Sequence, residues 1–583
     1  MLKMKNRFKI VVLLLNLVVC MCSSKAQIYN ISINWNNTER ESNKTDRFPY
    51  LFDQISHYNE AGLPVWSAKI KLNSSLISNV FLTSEQYGEF TNNNNSNKFS
   101  SKTPNNINVS YSVAFEKKQP YLIVSLIPLK INQTNGSIEK LLSFSLNIKH
   151  SGSQANKMAF SQKNYTYSSV LATGNWYKVG VAKDGMYKIG YEDIKGLGLN
   201  PSDIDPKKIQ LFGNGGGMLP RANKTFRHDD LAENAIQVED GGDGQFDKSD
   251  YILFYGQDPN KWVYNDSLKT YNHVIHLYSD TTYYFLTFNN AIGKRISDAS
   301  LTSSPPNYTT QYFDEHYYHD KELRNLIGSG EMWFGEIFDI QTHYDFSFDL
   351  KSFDASKPLT IKSKVAARSI ESSSRFDISL NGSSLFSTVL ISGTSTDIAS
   401  NYAFDQIRST SVPIPSSLIT LSYNYSKPNP GSIGWLDYIE LNYRRSLLVT
   451  GSEQLSFRDV LSVGNSRVSS FLVSANSNCK ILDVSNPTSV KNIPYTRSGS
   501  IASFNINTDT LREFIVFSDN FYTPTILGIV PNQNLHAVSS QDMVIVSYPD
   551  FLSEAERLAE HHRRVDNLRV TVVEPQQVYN EFS

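Results

Sequence analysis

From residue 27 to about residue 540 the apolar residues fall in short strand-length runs, most of them alternating with polar ones. This period constrains the fold more than any other feature of the chain. Tyr121-Leu-Ile-Val-Ser-Leu-Ile, Trp176-Tyr-Lys-Val-Gly-Val, Met186-Tyr-Lys-Ile, Ile209-Gln-Leu-Phe, Tyr251-Ile-Leu-Phe-Tyr, Thr282-Tyr-Tyr-Phe-Leu-Thr-Phe and Glu513-Phe-Ile-Val-Phe are such runs. A period of two turns one face of a strand to a core and the other to water. The 32 Tyr and 32 Phe, with aromatics at 12%, favour sheets over helices. With 40% hydrophobic and 19% charged residues, the 583-residue chain has material for several cores, which excludes global disorder. At roughly 150 residues per domain, about four domains are predicted.

Composition and punctuation divide the strand-rich part. Residues 27–150 form a predicted N-terminal β domain. Within it Tyr121–Ile127 and Leu142–Ile148 are expected to pair across Asn135-Gly136, because Asn-Gly tolerates the positive φ of a tight hairpin. Residues 91–106 read as a polar loop and 151–168 as a linker. A second β domain, 169–300, carries Gly- and Asp-rich loops. A β-sandwich or jelly-roll-like domain follows over 301–450, then a further β domain over 451–540.

The termini read differently. Lys3, Lys5, Arg7 and Lys9 precede an apolar run from Ile10 to Cys22, and Ser24-Lys25-Ala26 supplies small residues for a signal peptidase. Residues 1–26 are therefore predicted to be a cleaved signal peptide. Val19 and Met21 argue against a lipid anchor on Cys20 or Cys22. Loss of Lys3, Lys5, Arg7, Lys9 and Lys25 with no acid takes the formal charge from −1 to −6, which gives no attraction for nucleic acid. Only Cys479 of the three cysteines remains, so cores or bound ions, not an internal disulfide, must hold the exported chain.

After residue 541 the period changes. Met543-Val-Ile-Val-Ser is continuously apolar, as in a strand covered on both faces. Pro549 follows, Ser553 with Glu556 fits a capping box, and Leu552, Ala555, Leu558, Ala559, His562 and Val565 recur at helical spacing. Leu568–Val573 is a second buried strand. The fold class is therefore mainly β, with several β-sandwich or jelly-roll-like modules, followed by the first βαβ of an α/β domain that is expected to be truncated at Ser583.

Few side-chain groupings suggest chemistry. Asp240, Asp243, Asp247 and Asp250 lie on the glycine-rich stretch 239–250, where hard oxygens in a tight loop suit Ca²⁺; Asp and Gly are equally the residues of an ordinary polar hairpin. Gly213-Asn-Gly-Gly-Gly217 lacks the following Lys-Ser/Thr of a phosphate loop and reads as a strand-to-strand turn. His316 and His319 are expected on opposite faces of a strand, and His561 and His562 on a helix surface. Cys479 has no neighbouring His or helix start to activate it. No nucleophile elbow, zincin helix or complete catalytic dyad is present.

Residues 542–560 (DMVIVSYPDFLSEAERLAE), the continuation LRVTVVE from Leu568, and the preceding Val530-Pro-Asn-Gln-Asn-Leu-His536 resemble the opening of a gingipain-type cysteine peptidase domain. Gly174-Asn-Trp-Tyr-Lys, Asp184-Gly-Met-Tyr-Lys, Leu211-Phe-Gly-Asn-Gly-Gly, Gly330-Glu-Met-Trp-Phe-Gly-Glu336 and the stretch 434–445 (GWLDYIELNYRR) are similar to the type IX secretion sortases of that family. The resemblance implies a caspase-like α/β domain and an enzyme exported through the inner membrane to the outer-membrane surface. It implies removal of the C-terminal signal of cargo proteins and their transfer to anionic lipopolysaccharide, in company with outer-membrane proteins of the secretion apparatus. It also implies a Cys nucleophile with a His partner, both further into the domain than Ser583. No residue here matches either, so no catalytic role is transferred. The alternative is a non-catalytic secreted surface protein that binds glycan or secretion partners, with Trp333 or Trp435 exposed on a concave face.

Overall fold

The computed structural model describes residues 27–35, 51–52, 55–59, 62–72, 75, 77–90, 102–116, 119–150, 165–288, 291–328, 330–370, 372–390 and 400–582. The predicted signal peptide, residues 91–101 of the polar loop and 151–164 of the linker lie outside them. The chain divides into two compact units, residues 1–164 and 165–583.

The first unit is a sandwich of two antiparallel sheets. One holds Gln27–Ser32, Ile138–His150 and Ile77–Glu89, with Leu129–Ile131 also on Ile138–His150. The other runs Ile55–Tyr58, Pro64–Lys71, Gln119–Leu126, Val109–Glu116. Trp66, Leu122, Val124, Leu141, Phe144 and Leu146 fill one core. The Asn135-Gly136 turn forms, with Gly136 at φ 71°, but it joins Leu129–Ile131 to Ile138–His150. The expected first strand, Gln119–Leu126, instead pairs with Pro64–Lys71 and Val109–Glu116. Pro128 stands between the two strands, where a residue without an N–H ends one ladder and lets the chain cross to the other sheet.

The second unit contains three β assemblies. In the first, a five-stranded sheet is ordered Glu233–Asn234, Gln210–Phe212, Thr282–Thr287, Trp176–Val181, Thr525–Val530. A three-stranded sheet of Gly185–Gly190, Tyr251–Gly256 and Gln237–Glu239 accompanies it, and the core contains Val179, Ile189, Leu211, Phe246, Phe254 and Tyr284. In the second, strands between residues 455 and 517 pack around Phe457, Phe471, Phe504 and Phe514. Here Ser297–Asp298 joins Lys491–Asn492 and Tyr308–Thr310 joins Val468–Ser474, both parallel. Strand pairing thus crosses the positions 300 and 450 at which module edges are expected.

The third assembly is a sandwich built from strands between Tyr312 and Ser446. Tyr312–Asp320, Ile433–Ser446, Pro358–Arg368 and Phe404–Pro413 form one sheet. His343–Asp349, Leu418–Ser426, Ser374–Leu380 and Ser383–Leu390 form the other. The period of two is plain in Leu418–Ser426, where Ile419, Leu421, Tyr423 and Tyr425 are buried and Leu418, Asn424 and Ser426 exposed.

A hairpin of Lys261–Asn265 and Thr270–Val274 lies across the outer face of the first sandwich sheet. The Tyr271 N–H donates to Asn442 Oδ1 (2.7 Å), and Asn442 Nδ2 donates to the Tyr271 carbonyl (3.0 Å). The His273 N–H donates to Glu440 Oε1 (3.0 Å), and Lys362 Nζ lies 3.0 Å from Glu440 Oε2. The His273 ring, buried and stacked on Tyr318, has Glu440 Oε1 2.6 Å from Nδ1 and Asp320 Oδ2 2.7 Å from Nε2. A neutral imidazole carries one N–H, so a ring with an acceptor at each nitrogen is held as the imidazolium. Burial opposes that charge, but the two carboxylates outweigh it and raise the His273 pKa to about 9. Among the described residues no helix is long and apolar enough to cross a membrane.

A pKa above the unfolded value of 6.5 stabilises the fold fully below pH 6.5, and the stabilisation is lost as pH rises through about 9. His273→Gln is expected to cost about 3 kcal/mol at pH 7, because it leaves the buried Asp320 carboxylate without its cation and Glu440 with Lys362 alone. Chemical denaturation of both proteins at pH 7 and pH 10 checks this: their difference should shrink at the higher pH.

Candidate functional site

Met543–Val546 and Val570–Val573 pair in parallel, in register from Met543↔Val570 to Val546↔Val573. Between them a 3-10 turn, Pro549–Phe551, runs directly into the helix Leu552–Val565. This is the βαβ opening expected from the change of period. The predicted capping box is not formed. The helix begins at Phe551 without a side-chain cap, Ser553 lies inside it, and Glu556 pairs with Arg563. Pro at the head of the 3-10 turn starts the helical course earlier than the box would, since its fixed φ suits a first turn. Glu554 in the first turn and His562, Arg563 and Arg564 in the last complement the helix dipole.

A second helix, Pro575–Phe582, returns the chain to the β part. It docks against the segment 531–537, where amide side chains saturate the backbone on both sides. Asn532 Nδ2 donates to the carbonyls of Leu171 (3.1 Å) and Gly174 (2.9 Å). Asn534 Oδ1 accepts the Ser169 N–H (2.9 Å), and Gln533 Nε2 donates to the Gln577 carbonyl (2.7 Å). The centre of the seat is Glu581, whose side chain is fully buried. Its carboxylate accepts from Gln533 Nε2 (2.9 Å), the Leu535 N–H (2.7 Å), the His536 N–H (3.2 Å) and His536 Nδ1 (2.6 Å). Four donors offset the desolvation of one buried carboxylate.

The His536 ring stacks on Phe582 at 4.6 Å, and its Nε2 lies 2.9 Å from the Asp229 carbonyl. Burial opposes charge on this ring, while Glu581 and the Asp229 carbonyl favour it, and the pKa is raised overall. Beside it Lys178 Nζ donates to Asn580 Oδ1 (2.9 Å) and lies over the Tyr283 ring (4.0 Å). With no carboxylate partner among the described residues, Lys178 is pulled down to about 8 by burial. Beneath the seat, Leu171, Trp176, Leu231, Phe285 and Val530 form a small apolar cluster.

The residues singled out in the sequence lie elsewhere. Asp240 Oδ1 accepts the Gly242 N–H (3.1 Å), Asp243 Oδ1 that of Gln245 (2.9 Å) and Asp247 Oδ1 that of Ser249 (2.9 Å). Asp250, buried, accepts the Asp247 N–H (2.8 Å) on Oδ2. Each carboxylate thus closes its own turn, and the Ser249 N–H and hydroxyl hold the Asp247 carboxyl below the usual range. Among the described residues no group of three or more His, Cys, Asp or Glu side chains is arranged to hold a metal ion. In the run 213–217 a Cβ on Gly216 would meet the Asp258 carbonyl oxygen at 1.9 Å, so the backbone there packs against backbone.

His316 is stacked on Trp262 (4.0 Å) with its Nε2 against Arg458, whereas His319 Nε2 faces Glu336 (3.0 Å). His562 pairs with Asp566 (2.7 Å) on the helix surface. Cys479 is buried, with Sγ 3.5 Å from the Tyr495 hydroxyl and 3.3 Å from Arg497 Nη2. Trp435 is buried with Phe334 and Ala366, while Trp333 is 41% exposed. The sequence had no way to mark Glu581, whose partners lie 45 to 48 residues earlier.

The sequence profile of peptidase family C25 matches residues 536–583, from the histidine of this seat to the end of the chain. The crystal structure of dimeric latent PorU from Porphyromonas gingivalis is similar at 29% identity and a TM-score of 0.61, covering 72% of this chain and 39% of that one. The chain is PorU-like. It carries the opening of a gingipain-family peptidase region behind a β-rich part, and it spans 39% of the PorU chain. A carbohydrate-binding module CBM36 in complex with calcium and xylotriose is 13% identical over 19% of this chain and 92% of that one, at a TM-score of 0.14. The δ-endotoxin Cry8Ea1 of Bacillus thuringiensis is 10% identical over 41% and 42%, at 0.16. Scores that low carry no structural argument. No curated protein matches the chain.

Since the four aspartates already accept local donors, a chelator is expected to leave the melting temperature unchanged. A fall on chelation, reversed by calcium, would show that the 239–250 loop rearranges around the ion.

Proposed function

We propose that this chain is the β-rich part and the peptidase opening of a type IX secretion sortase displayed at the outer-membrane surface. The carrying observation is the 29% identity to PorU over 72% of the chain, together with the family C25 match that begins at His536. The predicted signal peptide supports export, and the β modules supply a scaffold on which a peptidase domain is seated.

The reaction this reading implies removes the C-terminal signal of a cargo protein. A cysteine thiolate attacks the carbonyl carbon of the scissile peptide bond, the amine of the signal leaves with a proton from histidine, and a thioester remains. An amine borne by anionic lipopolysaccharide then displaces the thiolate and forms a new amide; water in its place releases the cargo as a free acid. None of these roles is assigned to a residue of this chain. Its own part is to hold the peptidase domain and to meet cargo and outer-membrane partners. The glycan-binding alternative loses one of its two platforms, because Trp435 is core.

Deleting the gene in the source bacterium tests the reading. Cargo proteins are expected to keep their C-terminal signals and to lose their lipopolysaccharide attachment, as seen by mass spectrometry of surface and culture fractions. Normal processing and attachment in the deletion strain would overturn it.

A further inference from the structure

The seat of the peptidase opening is built around one ionisable ring. His536 Nδ1 faces a carboxylate oxygen of Glu581 at 2.6 Å, and Nε2 faces the Asp229 carbonyl at 2.9 Å. Both partners are acceptors, so only the doubly protonated ring satisfies both. The ring side chain is 3% exposed and the Glu581 side chain fully buried, which leaves no water to replace a lost proton's bond. The ring's two contacts join three separate parts of the chain: its own segment 531–537, the helix Pro575–Phe582 and the loop at Asp229. Removing one proton breaks one of the ring's two hydrogen bonds and removes the charge that faces Glu581, which weakens the link between these parts.

We propose that His536 is a positioning residue whose positive charge latches the helix Pro575–Phe582 onto the β part, so that seating of the peptidase domain is set by pH. The proposal rests on reading residues 536–583 as the start of that domain, but the latch itself is a property of this chain.

The charged and polar groups around the ring are few. From the helix come Glu581 and the Phe582 ring. From the loop come the Asp229 carboxylate, 4.0 Å from Nε2, and Asp230, which is held by the Ser169 hydroxyl and the Val170 N–H. All of these acids favour the charged ring. The raised pKa of His536 gives the sign: the latch is closed below the ordinary histidine pKa and opens as pH rises through the higher value it has when seated. Lys178, on the same helix through Asn580, acts in the opposite sense. Burial of its charge costs stability at neutral pH, and that cost fades above about pH 8. An opening seen at alkaline pH is therefore assigned to His536 and not to Lys178.

Hydrogen exchange of the full 583-residue chain, read as protection factors for peptides covering residues 575–582 between pH 6 and 10, tests this. Protection is expected to fall about tenfold for each pH unit by which the seated pKa exceeds the ordinary one. In His536→Gln, protection is expected to be low at pH 6.5 and not to fall further with pH. Glu581→Gln, which keeps the shape of the carboxylate and removes its charge, is expected to shrink the pH dependence in the same way and serves if the first variant folds poorly. Unchanged protection across the range in the parent chain, or the same fall in both variants, overturns the latch. Neither result touches the sortase reading, which is judged by cargo processing.

Discussion

A buried imidazolium with an acceptor at each nitrogen is the interaction on which the joining of the β assemblies depends. Glu440, Asn442 and Lys362 stand on the outward face of a sandwich sheet, where polar residues ordinarily meet water. Here the hairpin carrying Tyr271 and His273 covers them. The covering is held by partners of matching sense: backbone N–H to carboxylate, amide side chain to backbone, ammonium to carboxylate. His273 supplies the positive charge that faces the buried Asp320 and that Glu440 shares with Lys362. The same arrangement, one ring between two acceptors, recurs at His536, so charge matching joins this chain at two separated seams.

Much of the fold was legible because a period of two is a local property. Ile419, Leu421, Tyr423 and Tyr425 could be read as one face of a strand without knowing what they pack against. The run at Met543 likewise announced a parallel strand, and the helix after it followed from spacing alone, but the strand is not covered on both faces as expected, since Val544 and Val546 are exposed. What failed were statements about partners. Asn135-Gly136 marked a turn correctly, but the strand entering that turn was decided by Pro128. Ser553 and Glu556 fitted a capping box, yet the preceding Pro549–Phe551 turn had already begun the helical course.

The seat of the peptidase opening lay further out of reach. Asn532, Gln533 and Asn534 have no period and no motif chemistry, and their family likeness alone set them apart. Their donors and acceptors sit on residues 168–174 and 577–581, and the separation between Asn532 and Leu171 is 361 residues. Polar residues without a period in one dimension became, in three, donors and acceptors that join distant parts of the chain. The aspartates of 239–250 were conspicuous for the reverse reason: four acids within a short glycine-rich stretch invite a shared ion, while the backbone N–H groups between them are nearer competitors for the same oxygens.

The strand Thr525–Val530 closes the edge of Trp176–Val181, the first strand of the second unit. In a chain made from its N-terminus, that edge stays open while several hundred residues pass, since a contact of such separation is among the slowest to form. The apolar patch of Trp176 and Phe285 waits with it for Val530. Completion of this sheet is therefore a late event, and it coincides with arrival of the segment that receives the peptidase helix. The order of emergence along the chain thereby ties readiness of the scaffold to the appearance of the helix Pro575–Phe582 that docks on it.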